Sequence, residues 1–131
     1  MKAHAVLVAL ALSAVVAGLV AQAQPFKRTV LQQAALSIAG REAVTALAEL
    51  QPGAAAGSHT HPGEEIGYVV EGTVLVERAG KPPATFNAGQ AFLIDAGAVH
   101  NATNKGSGVA KILATYIVEK GKPLATPVAA K

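Results

Sequence analysis

The sequence predicts an all-β domain, a small antiparallel barrel or sandwich. Short runs rich in β-branched residues recur along the chain, and glycine turns separate them at close spacing. No stretch carries a convincing helical pattern of apolar residues. These features together favour sheets closed around one core over packed helices. At 131 residues the chain is long enough for one domain.

From the N-terminal side, residues 24–40 open with Pro25-Phe26-Lys27-Arg28 and continue polar and alanine-rich. This stretch is expected to be a loosely ordered arm ending in a short strand. From Glu42 the texture changes. Val44, Ala46, Ala48 and Leu50 alternate with Thr45, Leu47 and Glu49, the period of a strand. Gln51-Pro52-Gly53 ends that run, Ser58 to His61 looks extended, and Pro62-Gly63 turns the chain. Ile66 to Val70 and Thr73 to Arg78 are expected to form a hairpin bent at Gly72. Ala79 to Pro83 is a turn, Thr85-Phe86 a short strand, Ala91 to Ile94 another, and Asp95-Ala96-Gly97 a tight turn. Val99 to Thr103 follows. Val109 to Glu119 is the longest β-type run, with Ile112, Ala114, Tyr116 and Val118 on one face. The tail, 120–131, contains two prolines and is expected to be poorly ordered.

The N-terminus has a separate purpose. Lys2 precedes an apolar run, Ala5 to Ala21, which ends in Ala21-Gln22-Ala23, a small-x-small cleavage pattern. Residues 1–23 are therefore expected to be a cleaved signal peptide. An uncleaved anchor fits less well, because the run is shorter than the ~20 apolar residues of a membrane span. The expected location is exported, periplasmic or secreted, with no membrane contact after cleavage. The chain has no cysteine, which fits an exported domain without disulfides and excludes a lipid-modified cysteine. A net charge of +3 comes from scattered lysines and arginines. Without a basic stripe or an aromatic platform, nucleic-acid binding is excluded.

Four histidines occur, and His4 lies in the signal segment. The other three, His59, His61 and His100, fall in two glycine-bounded stretches. His59 and His61 are two apart and share one face of an extended segment. Glu65 follows after the Pro62-Gly63 turn and could reach the same ion. Such nitrogen and oxygen donors suit iron, manganese, nickel, copper or zinc more than calcium.

The pattern has two parts. Gly53, His59-x-His61, Glu65 and Gly72 make the first, and Gly89, Gly97, His100 and Asn104 the second. Both closely resemble the two motifs of the cupin superfamily, over about Glu42 to Glu119. One position departs, because Asp95 stands where the family usually has a turn-shaping proline. The resemblance implies a single-domain antiparallel jelly-roll β-barrel over 41–119, with a metal inside one end. It implies His59, His61, Glu65 and His100 as ligands of a divalent transition metal. Glu64 is expected at the rim or in solvent, Asp95 in an Asx-type turn, Asn104 fixing the loop after His100, and Phe86 and Phe92 in the core. Tyr68 and Tyr116 are expected in the barrel or at an interface, with either hydroxyl able to face the pocket.

Two functions remain open at this stage. One is a metal-dependent enzyme on a small organic molecule, dioxygenase-like or an isomerase. In it Glu65 is the candidate catalytic residue, a proton acceptor if it leaves the metal. The other is a non-catalytic module binding a metal or small ligand. Ordered residues from the arm or tail closing the barrel mouth would favour the enzyme. The apolar outer faces of Ile66 to Val70 and Val109 to Val118 imply a homodimer.

Overall fold

The computed structural model describes residues 24–129, so the expected signal peptide lies outside the described residues. Ten strands follow in chain order: β1 (Phe26–Ala35), β2 (Arg41–Leu50), β3 (His59–Thr60), β4 (Gly63–Glu71), β5 (Thr73–Arg78), β6 (Lys81–Asn87), β7 (Ala91–Ile94), β8 (His100–Asn104), β9 (Ala110–Glu119) and β10 (Thr126–Pro127). They form two five-stranded sheets, ordered β1-β2-β9-β4-β7 and β10-β3-β8-β5-β6. Every pairing is antiparallel. The all-β jelly-roll expectation holds.

Alternation builds the first sheet. β2 and β9 bury every second residue, with Val44, Ala46, Ala48 and Leu50 paired in register with Tyr116, Ala114, Ile112 and Ala110. β4 does the same with Glu65, Gly67 and Val69, between β9 and β7. Val74 and Val76 of β5 close the core from the other sheet. Two glycines in β4 are steric requirements. A Cβ at Gly63 would run into the Ile117 carbonyl, and one at Gly67 into the Phe92 ring.

Four local expectations need correction. The N-terminal arm is a ten-residue strand, β1, paired along most of β2 with a bulge at Leu31. Most of its residues are exposed, Val30 and Leu31 among them, so no apolar alternation marks it in sequence. Ile66 to Val70 and Thr73 to Arg78 are not a hairpin. At Gly72, φ +81°, the chain leaves one sheet and enters the other. β5 pairs instead with β6, which begins at Lys81 and takes in Pro82 and Pro83. β6 is an edge strand, where a missing N–H is tolerated. The tail is also used, since β10 pairs with β3.

Candidate metal centre

Two strands of one sheet and one of the other bring the four expected residues together. His59 on β3 lies directly across from His100 on β8. Glu65 projects from β4 of the facing sheet, beside Tyr116 of β9. His61 sits between β3 and β4. All four are buried, and their donor atoms lie within 4.8 Å of one another.

Backbone carbonyls orient the imidazoles. His59 Nδ1 lies 2.6 Å from Gly57 O, His61 Nδ1 2.5 Å from Leu124 O, and His100 Nδ1 2.9 Å from Ala98 O. A carbonyl only accepts, so each Nδ1 carries a hydrogen and donates it. In a neutral ring the remaining Nε2 is then a lone pair. Two such nitrogens, of His61 and His100, lie 3.0 Å from the same Glu65 oxygen, Oε2. His61 Nε2 is buried and makes no hydrogen bond. Lone pairs facing a carboxylate oxygen repel unless a proton or a cation stands between them. The donor set, three imidazole nitrogens and one carboxylate oxygen, fits a divalent transition ion. The outward Nδ1–H···O=C bonds are the usual support of a metal-bound imidazole.

The electrostatics agree. Burial pushes His59 down to about 4, the Gly57 carbonyl opposing and His100, His61 and Arg28 adding to the fall. The ring is thus neutral at neutral pH, with a lone pair free to ligate a metal. Burial alone would raise Glu65, but hydrogen bonds and charge from His100 and His61, where a proton stands on Nε2, outweigh that and hold it at about 2. It is a carboxylate throughout the physiological range. Burial, with Glu65 adding and Arg28 opposing, pushes Tyr116 up to about 12, so its hydroxyl keeps its proton.

Residues 46–116 match the family model described as the cupin domain. The chain belongs to the cupin family. No curated protein matches it. Solved structures share the cupin fold. An oxalate oxidase in complex with glycolate is 23% identical, with TM-score 0.63, covering 79% of this chain and 55% of that one. An uncharacterized conserved protein with a double-stranded β-helix domain from Klebsiella pneumoniae is 19% identical, with TM-score 0.64, covering 81% and 89%. A predicted oxalate decarboxylase from Thermotoga maritima is 28% identical, with TM-score 0.53, covering 60% and 80%. The chain spans about half the length of the oxalate oxidase it matches.

Around this cupin's site the other expected residues separate. Glu64 is exposed on the outer face of β4, and Tyr68 is 45% exposed on the same face, whereas Tyr116 lies inside. Tyr116 packs 4.6 Å from the His61 ring. Asn104 is buried and holds its loop, donating from Nδ2 to Leu50 O and Gly108 O and accepting from Gly106 N. Phe92 is in the core, and Phe86 packs 5.1 Å from it, only partly buried. Asp95 is a turn residue, but its carboxylate pairs with Lys81 Nζ at 2.6 Å in place of an Asx-type bond. It takes no part in the centre.

The structure adds two contributors that the sequence did not reveal. Leu124 of the tail supplies the carbonyl that orients His61. Arg28 of β1 lies against the site, its Nη2 3.5 Å from His59 Nε2. Alternation of Phe26 and Arg28 against Lys27 was the only available signal for Arg28, and polar neighbours obscured it.

Proposed function

We propose that this cupin is an exported, metal-dependent enzyme acting on a small organic molecule, dioxygenase-like in chemistry. The observation that carries the reading is the convergence of four buried donor atoms whose histidines are locked with Nε2 inward. His59, His61, Glu65 and His100 would hold the ion. A bound divalent ion supplies Lewis acidity and, if redox-active, dioxygen activation.

The protein's own groups do the rest. The carboxylate of Glu65, ionised at neutral pH, takes a substrate proton when it leaves the metal and its contacts with His61 and His100. Tyr116 retains its hydrogen as a donor. The apolar walls of the interior, including Val76, Phe92 and Ile112, keep competing water away. Order in the arm and in the described part of the tail supports the enzyme reading, since Arg28 of β1 and Leu124 of the tail each reach the site.

The test is oxygen uptake by metal-loaded protein over a panel of small organic acids, with Glu65→Gln beside it. Turnover in the wild type, reduced at least about a hundredfold in a variant that keeps its metal, as expected for loss of a proton-transfer group, supports the reading. A Glu65→Gln protein that keeps both metal and full turnover removes Glu65 from proton transfer. No turnover with any acid favours the second reading, a non-catalytic binding module. The narrowness of the interior, about 20 Å³ of open space, favours that second reading. Residues 1–23 are proposed to be removed at export, and the outer face of β4 and β7 to pair two copies.

A further inference from the structure

We propose that Arg28 is the anion-binding residue of the interior site and that the ligand it receives is a small carboxylate. The inference rests on the metal-site reading above and names the ligand class for that site.

Arg28 pairs in register with Ala48, whose side chain is buried in the core, so its own side chain is directed inward. Its guanidinium carbon lies 5.3 Å from the Phe26 ring centroid and 5.8 Å from that of Tyr116. Two aromatic faces thus hold a cation at the edge of the pocket that contains His59, Glu65 and His100. Among the described residues no carboxylate lies within ion-pair distance of it. Its Nε is buried and has no hydrogen-bond partner. Its side-chain partners are His59 Nε2, at a long 3.5 Å, and the Tyr116 hydroxyl.

That partner is the atom an ion would take. His59 Nδ1 is committed to Gly57 O, so Nε2 offers one lone pair, to Arg28 or to a metal. Metal binding therefore takes the His59 acceptor away from Arg28. Nε–H and Nη2–H lie on one edge of the guanidinium, the fork that matches the two oxygens of a carboxylate. A half-buried cation whose Nε has no acceptor, and whose Nη2 loses one, is costly unless an anion arrives.

Charge and size narrow the ligand. A divalent ion with Glu65 leaves one positive charge, and Arg28 adds a second. The other residues lining the pocket are apolar except for the histidines, Glu65 and Tyr116. Open space of about 20 Å³ is room for about one or two waters, the size of the two oxygens of one carboxylate. A flat, small acid group fits this space better than a tetrahedral phosphate.

The experiment is calorimetric titration of acetate, glycolate, oxalate and inorganic phosphate into metal-loaded wild type, Arg28→Gln and Arg28→Lys, with metal content measured on each sample. The expected result is binding of at least one carboxylate by the wild type. Arg28→Gln should weaken it at least about tenfold, the loss of one charge-assisted bidentate contact, at unchanged metal content and melting temperature. Arg28→Lys should fall between, because it keeps the charge without the fork. Arg28→Gln binding as tightly as wild type, phosphate binding as tightly as the best carboxylate, or no carboxylate binding at all would each overturn the proposal. Absence of metal from the wild type overturns the metal reading separately. The same titration into metal-free protein then decides Arg28, with lost binding in Arg28→Gln supporting its role and no binding refuting it.

Discussion

At the scale of single residues, the centre depends on which nitrogen of each imidazole holds the hydrogen. Three carbonyls settle that, and the result has a pH signature in the metal-free protein. His59 titrates at about 4 in the folded state against 6.5 when free. Between those values the unfolded chain binds a proton that the folded chain does not. Stability from this group is therefore complete above 6.5 and lost as pH falls toward 4. Glu65 is lowered from 4.5 to about 2. Its contribution is complete above 4.5 and lost as pH falls toward 2. Both act in one direction. The melting temperature of chelator-treated protein should hold steady above about pH 7 and fall on acidification to about pH 4.5. A melting temperature that rises on acidification would contradict this electrostatic picture. Protons compete for the same lone pairs, so metal affinity should weaken over the same range.

At the scale of elements, the segment around Leu124 orients one histidine of the centre. The Leu124 carbonyl fixes His61, and β10 binds that segment to β3. Truncation after Lys120 should leave both sheets folded but lower metal affinity by about 10- to 100-fold, as loss of an outer hydrogen bond to a ligating histidine does. Competition with a chromophoric chelator measures this, and unchanged affinity would show that the tail only covers the barrel.

The same elements show what the sequence could reveal. β2 and β9 were legible because each keeps strict alternation over a buried face. His59, His61, Glu65 and His100 were legible because their spacing within two short stretches is specific. β1 was not, because most of its side chains are exposed and its pairing is with β2, beyond a turn. Arg28 was hidden for the same reason. Its inward direction follows from the register with Ala48, which no local pattern encodes. The supposed hairpin at Gly72 failed because adjacency in sequence does not determine which sheet each strand joins. β4 finds its partners in β7 and β9, while β5 finds its own in β6 and β8.

At the scale of the whole molecule, one face remains uncovered. Ile66 and Leu93 are paired across β4 and β7, and each is nearly half exposed, as are Tyr68 and Val70. A contiguous exposed apolar patch of this kind marks an interaction surface. Two copies related by a two-fold axis would cover it with itself. Sedimentation at tens of micromolar should show a dimer, and Tyr68→Lys should shift it to monomer without changing metal content. A monomer in the wild type would rule out the pairing.

The most direct measurement is elemental analysis of the purified protein beside a His59→Ala/His61→Ala double variant. About one transition-metal ion per chain in the wild type, lost in the variant, is the predicted result. A wild type that takes up no metal under any loading condition would contradict it, and the four buried donors would then serve the fold or a ligand alone.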